Sequence, residues 1–391
     1  MEDFVFRGHT AVIFGRGKEA ETGREIKARG AKKALFLYGQ GSIKKSGLHR
    51  TIVSALEKEG IGFVELAGVT PNPRLSFVRR GISFCREHKV DFILAVGGGS
   101  VIDSAKAIAV GVPYEGDVWD FSSKQIPPKK ALPVGVILTI PAAGSETSQY
   151  SVITNDEGAY PLKRDAVYAN YEIIRPVFAI LDPELTLDLP PFQTACGIVD
   201  IMSHVIERYF TIVKNVDFTD RLCEATMKTV IENGRIVMKE PRNYDARAEI
   251  MWAGSVAHND LLSTGRAGDW SSHAVEHELS AVYDMTHGAG LAIVLPAWAR
   301  YVHKHALERF VQFAVRVWNV EQDFGAPERT ALEGISRMEQ YFGSLGLPTK
   351  LSEVKIGSER FHEMAEKSEK KGNIKKLDAQ DVQRILELAL A

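Results

Sequence analysis

The chain predicts an α/β domain built on a parallel sheet, followed by an all-helical domain. Three observations carry this. Short apolar runs alternate with helix-like segments through the first half, the pattern of βαβ units. Long helical patterns take over after Leu181-Asp182-Pro183 and Pro190-Pro191. The length of 391 residues exceeds the roughly 100–200 of one ordinary domain. The expected division is 1–185 for the α/β domain and 186–391 for the helical one.

Each element follows from local pattern. Ala11–Phe14 reads AVIF, and the charged run Lys18–Arg29 suits a helix stopped by Gly30. Ala34–Tyr38 (ALFLY) and Ile61–Leu66 (IGFVEL) read as strands around a helix over Lys44–Lys58. Leu75–Glu87 is helical, Phe92–Val96 (FILAV) is a strand, Ser100–Val110 is helical, and Gly135–Thr139 (GVILT) is a strand. The second half reads as helices over Gln193–Phe210, Asp217–Met238, Tyr244–Leu261, Ser271–Val282, Leu291–His305, Leu307–Trp318 and Pro327–Leu345. The lysine-rich stretch Lys367–Lys376 reads as a solvated loop.

Composition narrows the function. Lys plus Arg is 48 against 50 for Asp plus Glu, a net charge of -2, which gives no footprint for nucleic acid or an anionic membrane. Hydrophobic residues at 45% and charged residues at 25% suit a globular core. Cys85, Cys196 and Cys223 are odd in number and form no CxxC, so disulfides and a cysteine zinc site are not expected. No apolar stretch approaches the ~20 residues of a membrane span, and the start has no signal-peptide pattern. The expectation is a soluble protein of a reducing compartment, the cytoplasm.

Phe92–Val96 runs into Gly97-Gly98-Gly99-Ser100 and then a helix. A strand, a glycine turn and a helix N-terminus form an anion site, because free N–H groups and the helix dipole favour a phosphate. Asp103 and Lys106 lie in the first turns of that helix. Gly15-Arg16-Gly17-Lys18-Glu19-Ala20 fits GxGxxA, but the acid expected at the next strand end is missing, so it reads as a structural turn. In place of that acid stand Gly39, Gly41 and Ser42, with Lys44 and Lys45 nearby. An acid there would hold the ribose of NAD and repel a 2′-phosphate. Its absence points to NADP, with NAD second.

Asp200 and His204 stand at i, i+4 on one helix face, and so do His273 and His277. His287 follows, just before Gly288-Ala289-Gly290. One carboxylate and several imidazoles suit a divalent metal. The spacing also serves surface contacts, and by itself leaves both open.

The segments GGGSVIDSAKA, TIPAAGSET, CGIVDIMSHVIERYF and DWSSHAVEHELSAVYDMTHGAGLAIVLPAW resemble the iron-dependent (group III) alcohol dehydrogenases, above all the butanol dehydrogenase branch of NADPH-dependent aldehyde reductases. The resemblance runs from about Phe4 to the C-terminal KKLDAQDVQRIL. It implies an N-terminal dinucleotide domain and a C-terminal helical domain, with metal and nicotinamide in the cleft between them. It implies Asp200, His204, His273 and His287 as ligands of Fe²⁺, with Zn²⁺ or another divalent metal as substitutes. His277 matches a histidine that is not a ligand and carries a proton. Gly97, Gly98, Gly99 and Ser100 match the pyrophosphate turn, and Asp103 the acid after it, grouped with His277 in the catalytic set. Asn72 of Pro71-Asn72-Pro73 and Thr139 match cofactor contacts, and Lys163 is taken as the counterpart of a family lysine. Ala143 stands where the family has a second threonine. Gly39 stands where members using NAD have Asp.

The resulting expectation is hydride transfer between NADP(H) and a primary alcohol or aldehyde, by a homodimer whose N-terminal Phe4 and Phe6 lie near the interface. The alternative is a dehydroquinate synthase-like or glycerol dehydrogenase-like enzyme using NAD and zinc. A lyase of that type needs a basic pocket for a phosphate-bearing substrate, and the metal motifs carry no such cluster. A non-catalytic nucleotide-binding protein has no use for four ligand positions and His277. Trp252, Trp270 and Leu261 are read as core residues, with shaping of the substrate pocket as the alternative.

Overall fold

A computed structural model describes all 391 residues. They form two compact units, Arg7–Asp188 and a second that joins Met1–Phe6 to Leu189–Ala391.

The first unit runs β1 (Ala11–Phe14), α1 (Thr22–Ala28), β2 (Lys33–Tyr38), α2 (Ser42–Lys45), α3 (Leu48–Lys58), β3 (Gly62–Ala67), α4 (Leu75–His88), β4 (Phe92–Gly97), α5 (Gly99–Gly111), α6 (Asp120–Ser123), β5 (Val134–Leu138), β6 (Val152–Asn155), β7 (Leu162–Asp165) and β8 (Phe178–Leu181). Six strands make a parallel sheet in the order β1-β8-β5-β4-β2-β3. The four inner strands are buried along almost their whole length. That explains their continuous apolar runs, since a parallel strand covered on both faces has no polar side. The edge strands β1 and β3 are only partly buried. Strand pairing aligns Val96 with Ile137 and Ile137 with Ile180, so β4, β5 and β8 end level and present their C-terminal loops together.

Three strands escaped the sequence reading. β8 is four residues long and sits between two prolines, too short to show a period. β6 (VITN) and β7 (LKRD) form a separate antiparallel pair, each four residues long and of mixed composition. The helix expected over Lys44–Lys58 breaks at Gly47, whose φ of 84° ends one helix and starts the next.

The second unit contains α7 (Pro191–Tyr209), α8 (Asp217–Lys239), α9 (Tyr244–His258), α10 (Ser271–Tyr283), α11 (His287–Val302), α12 (Leu307–Arg316), α13 (Pro327–Ser344), α14 (Phe361–Lys367) and α15 (Ala379–Leu388). Helix α7 is buried on every side from Thr194 onward and packs on α8, α9 and α11. Its apolar residues place it in the core, and it carries Asp200, His204, Glu207 and Arg208 into that core with them. Around it Phe210, Trp298, Phe310 and Phe313 form the aromatic centre. Helix α11 begins at His287, a turn before the expected Leu291, so His287 lies on its first turn.

Met1–Phe6, placed by the sequence reading in the first domain, joins the helical unit instead. The Met1 ammonium donates to the Lys214 carbonyl at 2.9 Å, and Glu2 N to the Gly265 carbonyl at 2.9 Å. The Lys367–Lys376 loop is anchored rather than merely solvated. Asn373 N and Ile374 N both donate to Asp269 Oδ2. No helix is long and apolar enough to cross a membrane. All three cysteines are free and buried, and burial pushes each thiol up to about 12.

Candidate active site

In the first unit, β4 delivers Gly97 into the turn that opens α5. A Cβ on Gly97 would lie 2.5 Å from Val101 Cγ2, and one on Gly98 would lie 3.1 Å from Ile140 Cβ. Packing therefore excludes a side chain at Gly97 and leaves little room for one at Gly98, and the backbone N–H groups of a thirteen-residue helix start there. Thr139 N donates to the Gly97 carbonyl at 3.1 Å, so Thr139 stands at the same sheet edge. Asn72 and Lys163, far apart in sequence, meet: Lys163 Nζ donates to Asn72 Oδ1 at 3.2 Å, and both residues are buried. Asp103 is partly buried, with Oδ1 accepting from Ser145 Oγ at 2.6 Å and Oδ2 from Val152 N at 3.0 Å. Burial pushes its carboxyl up, against the opposing pull of Lys106, Ser145 and the Val152 N–H.

At the end of β2 lies a cavity of about 270 Å³ lined by Tyr38, Gly39, Gln40, Gly41, Lys44, Ala67 and Gly68. No carboxylate lines it. Glu65, the nearby acid, accepts from Tyr38 Oη at 2.7 Å and contacts His49 Nε2 at 3.0 Å. Lys44 Nζ lies 3.8 Å from that carboxylate and 5.4 Å from the Tyr38 ring centre. The Gly15–Gly17 turn is committed to the protein itself. Gly15 N donates to the Leu181 carbonyl, and Gly17 N to Asp182 Oδ2 at 2.7 Å.

In the second unit three helices converge. Asp200 and His204 come from α7, His273 and His277 from α10, and His287 from α11. One donor atom each of Asp200, His204 and His273 lies within 4.8 Å of the others. His287 Nε2 lies 3.8 Å from Asp200 Oδ1. A separate grouping of the same tightness joins His287 to His277 and Glu276. The His287 ring lies 5.4 Å from that of His273 and 5.7 Å from that of His277. Gly288 and Gly290 permit this approach. A Cβ on Gly288 would lie 2.1 Å from the Cys196 carbonyl oxygen of α7, and one on Gly290 would lie 2.6 Å from Glu276 Oε1 of α10.

Two acids that the sequence reading passed over set the imidazoles. Glu207, fully buried, accepts from His273 Nδ1 at 3.0 Å, and also from His273 N, Ser272 Oγ and Trp270 N. Glu276 contacts His287 Nδ1 and accepts from Ser280 Oγ. Each bond assigns the proton to Nδ1 and leaves the lone pair on Nε2. The signal was present for Glu207: it sits at i+3 from His204 and i+7 from Asp200, on their helix face. Arg208, almost wholly buried, adds a third support. It donates to the His204 carbonyl at 2.9 Å, meets His258 Nδ1 at 3.2 Å, and lies 4.6 Å from the Trp270 ring centre. Trp270 itself adopts a φ of 65°, a left-handed conformation that a bulky residue rarely takes. Trp252, read as core, is exposed on α9.

The donor set fits a divalent cation. Asp200 Oδ1 and His273 Nε2 are buried without a hydrogen-bond partner, a costly arrangement that a cation relieves. His204 Nδ1 is committed to the Asp200 carbonyl oxygen at 2.9 Å, which leaves its Nε2 as a ligand atom. Burial alone would raise the Asp200 carboxyl, but His287 and His204 outweigh it and hold it at about 2. Burial, with His204 and His287 beside it, holds His273 well below the usual imidazole range and so neutral. An ionised carboxylate and a neutral imidazole are the states a metal requires.

The known proteins bear on this arrangement. Residues 9–183 match the family model described as iron-containing alcohol dehydrogenase. Residues 194–390 match that of the C-terminal domain of the Fe-containing alcohol dehydrogenase family. The chain is 43% identical over 396 residues to a probable NADH-dependent butanol dehydrogenase of Bacillus subtilis, covering 100% of both. It is 36% identical to an NADPH-dependent aldehyde reductase of Escherichia coli, covering 95% of this chain and 94% of that protein. The crystal structure of an NADH-dependent butanol dehydrogenase from Thermotoga maritima superposes with a TM-score of 0.95 at 38% identity, covering 100% of this chain and 99% of that one.

Proposed function

From the premise that the chain belongs to the iron-containing alcohol dehydrogenase family, an oxidoreductase that works with a nicotinamide cofactor and a divalent metal, we propose that it interconverts a short primary alcohol and its aldehyde with NADP(H), using Asp200, His204, His273 and His287 to hold Fe²⁺. That membership displaces the dehydroquinate synthase-like and glycerol dehydrogenase-like alternatives. The observation that carries the metal reading is the pair of buried, unpartnered donor atoms, Asp200 Oδ1 and His273 Nε2. A divalent metal in such a site supplies Lewis acidity, stabilising negative charge on the alcohol oxygen, while the nicotinamide gives or takes the hydride.

The chain's own residues supply alignment. Glu207 and Glu276 hold His273 and His287 in the Nε2-ligating tautomer. The backbone N–H groups at Gly98–Ser100 receive the pyrophosphate. Asn72 and Lys163, already joined, and Thr139 at the sheet edge complete the cofactor contacts. Buried His277 moves the alcohol proton through its imidazole nitrogens. Asp103, committed to Ser145 and Val152, acts by holding the cofactor loop.

The substrate class rests on the names of the relatives, which are butanol dehydrogenases and an aldehyde reductase. Cofactor choice rests on the cavity at Gly39, which offers glycine N–H groups and Lys44 and no carboxylate. A second reading, NADH, is favoured by the names of the relatives at 42–43% identity. Exposed Phe4, Val5 and Phe6 support a homodimer that covers them. Three free, buried thiols suit the reducing cytoplasm. The test is NADPH absorbance at 340 nm with butanal, repeated with NADH and with a chelator. Oxidation of NADPH that a chelator abolishes is expected; turnover unaffected by complete metal removal overturns the metal reading.

A further inference from the structure

Helix α5 carries the phosphate turn at its first residues and, two turns later, a fully buried lysine. Lys106 Nζ lies 2.7 Å from the Ser145 carbonyl oxygen, 2.8 Å from Ser145 Oγ, 2.9 Å from the Ser148 carbonyl and 2.7 Å from the Tyr150 carbonyl. An ammonium has three N–H donors, and these four oxygens all belong to one short segment of chain. That segment is the loop between β5 and β6. Its other side rests on the phosphate turn: a Cβ on Gly98 would lie 3.1 Å from Ile140 Cβ, and one on Gly99 would lie 3.1 Å from Ala143 Cβ.

Asp103, one turn earlier on the same helix, completes the attachment. Ser145 Oγ accepts from Lys106 and donates to Asp103 Oδ1 at 2.6 Å, so the hydroxyl relays between the two charges. Asp103 Oδ2 takes Val152 N, and the Asp103 carbonyl takes Ser151 Oγ at 3.0 Å. Residues 145–152 are thus bound to α5 along their length. If filling space were the only requirement, a methionine would do so without the desolvation of a buried charge. The ammonium does what methionine cannot: it orients three carbonyls.

We propose that Lys106 is a positioning residue for dinucleotide binding, a latch that holds the 145–152 loop against the phosphate turn through α5. The proposal rests on the reading of Gly97–Ser100 as the pyrophosphate site. It assigns Lys106 no contact with the reacting atoms, so its loss weakens the cofactor more than the aldehyde or the metal.

The test is Lys106→Met in the metal-loaded enzyme, with Ser145→Ala as a milder variant should the first fold poorly. Titration of NADPH fluorescence should show a dissociation constant raised at least about tenfold in Lys106→Met, and by about two- to fivefold in Ser145→Ala. The KM for aldehyde should move less than about twofold, and metal content should stay at the wild-type level. Hydrogen exchange measured without cofactor should accelerate at the amides of 145–152 and not across the sheet. Unchanged NADPH affinity with unchanged exchange at 145–152 overturns the latch, as does acceleration spread evenly over the first unit. A wild-type protein that binds neither NADPH nor NADH defeats the dinucleotide reading instead, and the exchange measurement then still decides whether Lys106 holds the loop.

Discussion

Around Gly97–Ser100 the groups open to a ligand belong to the backbone, whereas around Asp200 they are side chains drawn from three helices. The first arrangement needs residues without side chains, and a Cβ at Gly97 or Gly98 would strike Val101 or Ile140. The second needs side chains whose direction is fixed: His273 is backed by the buried acid Glu207, His287 by Glu276, and His204 by the Asp200 carbonyl. Backbone sites are therefore sensitive to added atoms, and side-chain sites to removed ones. The acids behind the histidines make the helical half deep, because a change two residues from the donor atoms still reaches them.

Substitutions can break that contrast. The largest effect is expected for His273→Ala, which removes a donor from the cluster. Metal analysis should show loss of metal, and turnover should fall to background. Normal metal content with normal kcat dismisses the assignment. His277→Ala should keep its metal and lose about 10²–10⁴ in kcat, the usual contribution of a positioned proton carrier. Metal analysis beside the pH profile separates the two, since parallel loss of metal and activity makes His277 a ligand. Glu207→Gln leaves every donor atom in place and should weaken metal affinity about 10–100-fold, read by competition with a chelator. If affinity holds, the carboxylate is packing and nothing more. The smallest effect is on the backbone side. Gly39→Asp, whose Cβ would meet only the Val69 carbonyl at 3.6 Å, should fold normally. It should lower the NADPH-to-NADH ratio of kcat/KM about tenfold or more, by repelling a 2′-phosphate and engaging the ribose of NAD. An unchanged ratio detaches the Gly39 cavity from the ribose.

Much of the first unit was legible. The inner strands β2, β4 and β5 are buried on both faces and so announce themselves as apolar runs. β6 and β7 are four residues each and of mixed composition, and β8 is four residues between prolines, so no period identified them. Asn72 and Lys163 were singled out separately, through the resemblance, and only the structure joins them, because nothing local relates residues so distant in sequence. Trp252 shows the opposite failure: a large aromatic ring invites a core assignment, yet it is exposed.

What the sequence determined by itself is whatever rests on short-range geometry. The glycine turn at the end of an apolar strand, the i, i+4 pairing of Asp200 with His204, and the absence of an acid at Gly39 are properties of neighbouring residues, and backbone periodicity alone places them. Tertiary structure decided the rest. Residues 1–6 join the helical unit because the Met1 ammonium and Glu2 N find carbonyls at Lys214 and Gly265. His287 reaches Asp200 because Gly288 lets α11 close onto α7. Glu207 binds His273, and Lys106 binds a loop some forty residues away, because buried polar groups must find partners wherever the packed chain supplies them.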